Sequence, residues 1–228
     1  MIKFFITLLF SILFFSVNAQ GLSVYSEMNY NTFYHSSLKA FQKEFMLDMP
    51  ELPMEVTDDF PANYGYTFGV KIDEINTSFF YSYNSTGGKI SYADYSGKIA
   101  ITELLIGRTI GGQYEYQFYS SSYGNIYGLF RAFFMFNDFD IESTYVIDGK
   151  EEVKLYELKS FDIGGGFGVK YEYPLWFFNL YLSAGVDVVL GGDLKLDSKH
   201  HIENNRGEPV NANWTGFRTG IGVSVPFK

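Results

Sequence analysis

Two-residue alternation over long stretches constrains this chain more than any other feature. From Phe161, the positions Phe161, Ile163, Gly165, Phe167, Val169, Tyr171 and Tyr173 form an almost wholly apolar series. Between them lie Asp162, Gly164, Gly166, Gly168, Lys170 and Glu172, all small or charged. A period of two is the mark of a strand with two unlike faces. After Pro174-Leu175-Trp176 the pattern restarts, with Phe178, Leu180, Leu182, Ala184, Val186, Val188 and Leu190 on one side and Asn179, Tyr181, Ser183, Gly185 and Asp187 on the other. The glycine run 164–168 is followed by this second strand. A phosphate-binding loop would need a strand-to-helix junction there, so the glycines are read as part of a strand face.

The same pattern recurs. Tyr64, Tyr66, Phe68, Val70 and Ile72 oppose Asn63, Gly65, Thr67, Gly69 and Lys71, and Asp73-Glu74 turns the chain into Ile75, Thr77, Phe79, Tyr81 and Tyr83. Phe217, Ile221, Val223, Val225 and Phe227 alternate with Gly216, Arg218, Gly220, Gly222 and Ser224. Residues 20–32, 99–118 and 124–138 complete the set with weaker alternation. The connections run long (33–61), short (73–74), long (85–98), short (119–123), long (139–155), short (173–177) and long (191–211). The fold class predicted is therefore all-β, an eight-stranded antiparallel up-and-down transmembrane β-barrel with its long loops at one end.

Two strands resist simple parity. In 99–118 the Tyr114-Tyr116-Phe118 face, carried backwards, turns Arg108 outward. A bulge near Gly111-Gly112 that reverses the register is the preferred reading, with a place for Arg108 at the rim as the alternative. In 124–138 both faces are apolar, and Arg131 marks the inward one.

Composition decides which face is outside. The chain has 19 Tyr, 24 Phe and 23 Gly in 228 residues, no Cys and a net charge of −9. The glycine-rich polar face is too small for a solvated coat and suits a narrow interior. Tyr and Phe near strand ends suit an interfacial belt. A soluble ligand-binding barrel would need the opposite arrangement, which alternation alone does not distinguish. The acidic balance argues against a nucleic-acid partner. Absence of cysteine excludes disulfides and thiolate metal sites. Residues 1–19 read as a signal peptide, with Lys3, the apolar run Phe4 to Phe15 and the small-residue site Val17-Asn18-Ala19. Residues 20–228 form the barrel domain, which loses Lys3 and so carries −10.

The segment "GFRTGIGVSVPFK", the leader ending in Ala-Gln and the long/short loop pattern together resemble the small outer-membrane β-barrel proteins of the OmpA/OmpX type. The Bacteroidota proteins often labelled "porin family" are the nearest in pattern. The resemblance implies location in the outer membrane of a Gram-negative bacterium, contact with outer-membrane lipid and lipopolysaccharide, and no catalytic residues. It also implies insertion by the barrel-assembly machinery, with Phe227 as the assembly signal, although Lys228 follows it.

The inward face predicts an interior charge network of Glu103, Glu115, Arg131, Asp162, Lys170, Glu172, Asp187 and Arg218, since charges in a narrow interior must pair. A monomer with a filled interior, acting as a structural or surface-interaction protein through long loops toward an unidentified extracellular ligand, is the leading reading. No cofactor or metal is assigned. A narrow gated channel is the alternative, and a rim-sited lipid-modifying enzyme using His35, His200 and His201 the third. Metal binding by Asp197, His200, His201 and Glu203 is a weaker reading still, since adjacent histidines do not share a strand face. In the first long loop Leu38, Phe41 and Phe45 share a helical face, so a short helix there caps the mouth or lies in the interface. Glu55, Asp58 and Asp59 belong to an acidic stretch beyond it. Asp148-Gly149 between "TYVI" and "KEEVKLY" signals a hairpin of two strands projecting beyond the membrane.

Overall fold

The computed structural model describes residues 21–47, 52–95, 97–147, 150–196 and 200–227. The leader assigned to residues 1–19 lies outside these, as do Asp148-Gly149 and Lys228. In chain order the elements are β1 (Leu22–Phe33), α1 (Ser36–Leu47), β2 (Glu55–Asp59), β3 (Asn63–Ile72), a 3-10 turn (Asp73–Ile75), β4 (Thr77–Ala93), β5 (Gly97–Ser121), β6 (Gly124–Ile147), β7 (Lys150–Leu175), β8 (Phe178–Leu190), β9 (Lys195–Leu196), β10 (His200–His201) and β11 (Gly216–Phe227).

The expected eight-stranded up-and-down barrel is corrected by this inventory. The described residues form one 11-stranded antiparallel sheet in the order β10-β9-β7-β6-β5-β4-β3-β1-β11-β8, with β2 paired to β4 off that path. The strands are far from uniform, from 2 residues in β9 to 26 in β7. β8 pairs with β11 on one side and with β7 on the other, which wraps the sheet around an interior.

Much of the departure lies in segments assigned to loops. β4 and β5 stay paired to Ala93 and Lys98, and β6 and β7 to Ile147 and Lys150. Two of the four long connections are thus largely strand. Backbone pairing continues there because each N–H and C=O finds a neighbour whatever the side chain. The first and last connections hold α1, β2, β9 and β10 instead.

The predicted bulge at Gly111-Gly112 is also corrected. Phe79↔Gly112 and Phe80↔Gly111 pair without interruption, and the shift falls between Gln117 and Tyr119. Arg108 therefore faces outward, 45% exposed on its side chain, in an ion pair with Asp138. Arg108 thus keeps the outward face that uninterrupted parity gives it.

Outward parity gives an apolar belt. On β6 it runs through Ile126, Phe130, Phe134 and Phe136, all exposed. That length matches the roughly 9–11 residues a tilted strand needs to cross a bilayer. Above Phe136 the outward residues become Asp138, Asp140 and Glu142. On β1 and β3 the outward Tyr30 and Tyr64 lie with ring centroids 5.3 Å apart.

Candidate functional site

The interior is stacked in three layers. At the end near the short turns, Lys170 donates to Glu115 at 2.6 Å, Lys71 lies 3.0 Å from the same carboxylate, and Glu172 is 3.2 Å from Lys170. Gln113 and Asn179 donate to Glu115 and Glu172, filling further lone pairs. In the next layer Arg218 donates to Glu27 at 3.1 Å and to Asp187 at 3.2 Å, and Arg131 lies 3.6 Å from Asp187. Ser183 donates to the other oxygen of Glu27. The Arg131 guanidinium sits 4.0 Å from the centroid of Phe80. Each of these two layers balances two cations against two carboxylates, and buried charges persist only under such compensation.

Of the eight residues expected inside, all are buried, and six fall into these two quartets. Glu27 and Lys71, absent from the expected network, complete them. Lys71 was already visible on the polar face of its strand. The two remaining residues stand apart. Asp162 takes Asn137 at 2.7 Å and the backbone N–H of Gly192 at 2.6 Å. Glu103 lies higher still.

The third layer is uncharged. Asn29 donates to Thr67, Thr67 and Ser82 share a hydrogen bond, and Asn31 bridges Asn63 and Asn84. Asn29 Oδ1, Thr109 Oγ1, Arg131 Nε and Asp187 Oδ1 have no partner within the described residues. The cavities beside them measure about 20 and 10 Å³. A single water needs roughly 10–15 Å³. Each of these two cavities therefore has room for about one water molecule.

An apolar lid closes the far end. Leu38, Phe60, Ile90, Ile101, Leu105, Phe139, Leu158, Leu194, Ala212 and Trp214 are nearly or fully buried there. α1 presents Leu38 to this core, and Phe41 and Phe45 pack beside it, so the helix caps the mouth. Trp214 meets Phe33 and His35 edge-on and donates its indole N–H to Asn137 at 2.8 Å. Asn137 in turn rests on Asp162. Gly107 leaves the room Trp214 occupies, since a Cβ there would lie 2.9 Å from the indole. Each such large side chain contributes roughly 1.5–3 kcal/mol by burial.

Two ionisable groups lie within this lid, beyond the rim that Arg108 marks. Glu103 is 1% exposed and accepts from Gln42 of α1 at 2.8 Å, while Oε1 has no partner. Burial raises it to about 8, against the hydrogen bond from Gln42 and with Asp59 adding a smaller push. His35 is fully buried, bonds Ala212 O through Nδ1 at 2.7 Å and leaves Nε2 unpartnered. Burial lowers it to about 4, the Ala212 bond opposes this, and Lys39 lowers it further.

The histidine arrangement imagined for a rim enzyme is not assembled. Ser37 Oγ accepts from Asn211 N, Asn213 donates to Ser36, and exposed His201 lies 3.2 Å from Asp193. Among the described residues no group of three His, Asp or Glu side chains is arranged to hold a metal. Asp197 lies outside those residues.

No protein-family model matches this chain, and no curated protein matches it. Among solved structures it is similar to neisserial surface protein A, at 12% identity over 91% of this chain and 98% of that one, with a TM-score of 0.38. A major outer membrane protein from Thermus thermophilus gives 10% identity, coverage of 89% and 98%, and a TM-score of 0.44. The attachment invasion locus protein Ail of Yersinia pestis, in complex with the heparin analogue sucrose octasulfate, gives 13%, 90% and 97%, with a TM-score of 0.35. Likeness at this level assigns neither family nor activity, and the functional reading rests on the chain's own geometry.

Proposed function

We propose that this is an outer-membrane surface protein whose wrapped sheet is an anchor and whose extended strands and loops form an outward platform. One observation carries the reading: the faces are inverted. Phe134, Phe161, Ile163, Phe167 and Val169 are about half exposed or more, while Glu27, Arg131, Asp187 and Arg218 are buried. In water that arrangement would expose far more apolar surface than a soluble domain tolerates in one patch. Against acyl chains it is favourable, with every strand hydrogen bond made inside the sheet. A soluble ligand-binding barrel requires the reverse.

The neutral quartets and the small cavities support a filled interior over the narrow channel. The buried position of His35, walled by aromatic rings, gives the enzyme reading no support. In this proposal Phe227, paired with Leu22 where the last strand meets the first, serves as the assembly signal, and residues 1–19 direct export. The protein acts as a monomer in contact with outer-membrane lipid and lipopolysaccharide, inserted by the barrel-assembly machinery. Its kinship with the OmpA/OmpX type and the Bacteroidota "porin family" rests on the C-terminal segment and the strand pattern.

Fractionation of expressing cells tests the location. The protein is expected in the outer-membrane fraction and soluble only with detergent; folded protein that stays dispersed without detergent overturns the proposal. In planar bilayers the expected result is no steady conductance, and regular single-channel openings would reinstate the channel.

A further inference from the structure

We propose that α1, together with Leu194 and the stretch from Val210 to Trp214, forms a proton-sensitive lid, latched while Glu103 and His35 are both uncharged. The latch is geometric. Gln42 is the point at which α1 grips the wall, donating at once to Glu103 Oε2 at 2.8 Å and to Asp58 O of β2 at 3.0 Å. Gly88 makes the approach possible, because a Cβ there would lie 2.4 Å from both Gln42 Nε2 and Glu103 Oε2. On the lid's other side His35, just before α1, ties the helix to the Trp214 segment through Ala212 O. Phe60 touches both regions, 5.9 Å from the His35 ring and 6.3 Å from that of Phe139.

Among the described residues neither group has a counter-ion to receive a new charge. Around Glu103, β4 presents Gly88, β6 presents Ile141, α1 presents Gln42, and the nearest charge from β2 is Asp59, of the same sign. Lys39 is engaged with Asp59 at 3.6 Å. Around His35 stand Phe33, Phe60 and Trp214, and the charge felt from α1 is Lys39, which opposes protonation. A charge created on either residue lies in an apolar core with a like charge as its nearest neighbour, and undocking the lid gives it water.

The signs differ. Glu103 docks as the neutral acid, at about 8 against roughly 4.3 when free. Docking is therefore strongest below about 4.3, weakens up to about tenfold per pH unit above it, and levels off beyond about 8. His35 docks as the neutral base, at about 4 against roughly 6.5 when free, so its contribution is full above 6.5 and fades on the way down to about 4. Between about 4.3 and 6.5 the two slopes cancel. The lid is tightest on that plateau and loosens on the alkaline side, by roughly eightfold between pH 6.5 and 8 and by about thirtyfold in all from the plateau to well above pH 8.

Trp214 reports the lid once the exposed Trp176 is replaced, since the chain has 2 Trp. In detergent-folded Trp176→Phe protein, acrylamide quenching of Trp214 is expected to be low and flat from pH 4.5 to 6.5 and to rise toward pH 8. Adding Glu103→Gln should abolish the alkaline rise and leave an acid-side rise spread over pH 6.5 to 4. Adding His35→Gln should tilt the plateau instead. Quenching that does not change with pH, or an alkaline rise retained in Glu103→Gln, overturns the lid. Hydrogen exchange of the α1 amides in the unsubstituted chain, corrected for intrinsic rate, tests the same point should a variant fail to fold. Equal protection at pH 5.5 and pH 8.5 also refutes the latch. The lid stands on contacts within the chain, so neither result bears on the membrane reading.

Discussion

Arg218 donates to Glu27 across 3.1 Å of the interior although 191 residues separate them in the chain. The contact joins β11 to β1, whose backbones pair from Leu22↔Phe227 to Phe33↔Gly216. Glu27→Gln and Arg218→Met each strand a charge inside the sheet, and each is expected to cost about 3–5 kcal/mol. The double substitution should cost less than the two singles together, with a coupling of roughly 0.5–3 kcal/mol. Denaturant titration of folded protein in detergent, followed by the loss of β circular dichroism, measures all three. Strict additivity would show that the pair holds nothing together.

The inward glycines are spaces that other residues already occupy. A Cβ on Gly164 would meet the Phe133 ring at 2.3 Å, and one on Gly222 would meet the Tyr181 ring at 2.3 Å. Gly164→Val and Gly222→Val are each expected to destabilise by about 1–3 kcal/mol through overpacking. Gly112 faces outward, and its nearest such contact is Ser78 O at 3.8 Å. Gly112→Val should be neutral or stabilising in the same titration, because a strand gains from a β-branched side chain with room to sit. Equal losses at inward and outward sites would contradict the assignment of faces.

These two sites also show how far the sequence could be read. Parity sorts Gly164 and Phe167 onto opposite faces, because each strand carries its own period-two record of which side is greasy, and composition decides which of the two is inward. Arg218 falls inside by the same rule and Arg131 by its charge alone, since both faces of its strand are apolar, yet neither signal says which carboxylates they meet. Partners come from register between strands distant in sequence, and Glu27 lies in a strand whose alternation is blurred by Tyr25 and Ser26. Asp162 shows the same limit. It shares a face with Lys170, but the height of its strand residue delivers it to Asn137 and Gly192 instead. The lid was the least legible part. Leu38 and Phe41 betrayed a helix, but Trp214, Ala212 and Val210 carry no periodicity, and their burial depends on a core shared among segments far apart in the chain.

Above the apolar belt, Asp140 stands directly opposite Glu157 on the outer face of the extended sheet. Partial burial and then the Glu157 and Asp138 carboxylates hold Asp140 above its ordinary value. A raised carboxylate makes the local pairing strongest when protonated and weaker as pH rises through that value. Glu157→Lys replaces a like-charge cross-strand pair with an attractive one, worth roughly 0.2–1 kcal/mol to the β6–β7 extension. Carboxylate resonances followed by NMR should show Asp140 titrating at lower pH in the variant, with slower amide exchange at Glu142 and Leu155. An unmoved Asp140 would mean that Glu157 does not act on it.

The belt itself makes the sharpest test of where the sheet resides. Phe130 is outward and 54% exposed at mid-belt, whereas Asp138 lies just above the level of Phe136. If the belt lies in hydrocarbon, Phe130→Arg costs about 2–4 kcal/mol, because a lipid-facing cation near the midplane has no water and no partner. The same cation nearer the surface costs only about 0–1 kcal/mol, which fits the natural position of Arg108 at that rim. Asp138→Asn, which removes the ion-pair partner of Arg108, should therefore have little effect on folding into vesicles. Phe130→Arg should shift the folding equilibrium there by roughly two orders of magnitude. In water the ranking reverses, since an exposed Phe exchanged for Arg relieves an apolar patch. Improved folding of Phe130→Arg in the absence of lipid or detergent would place this surface in solvent.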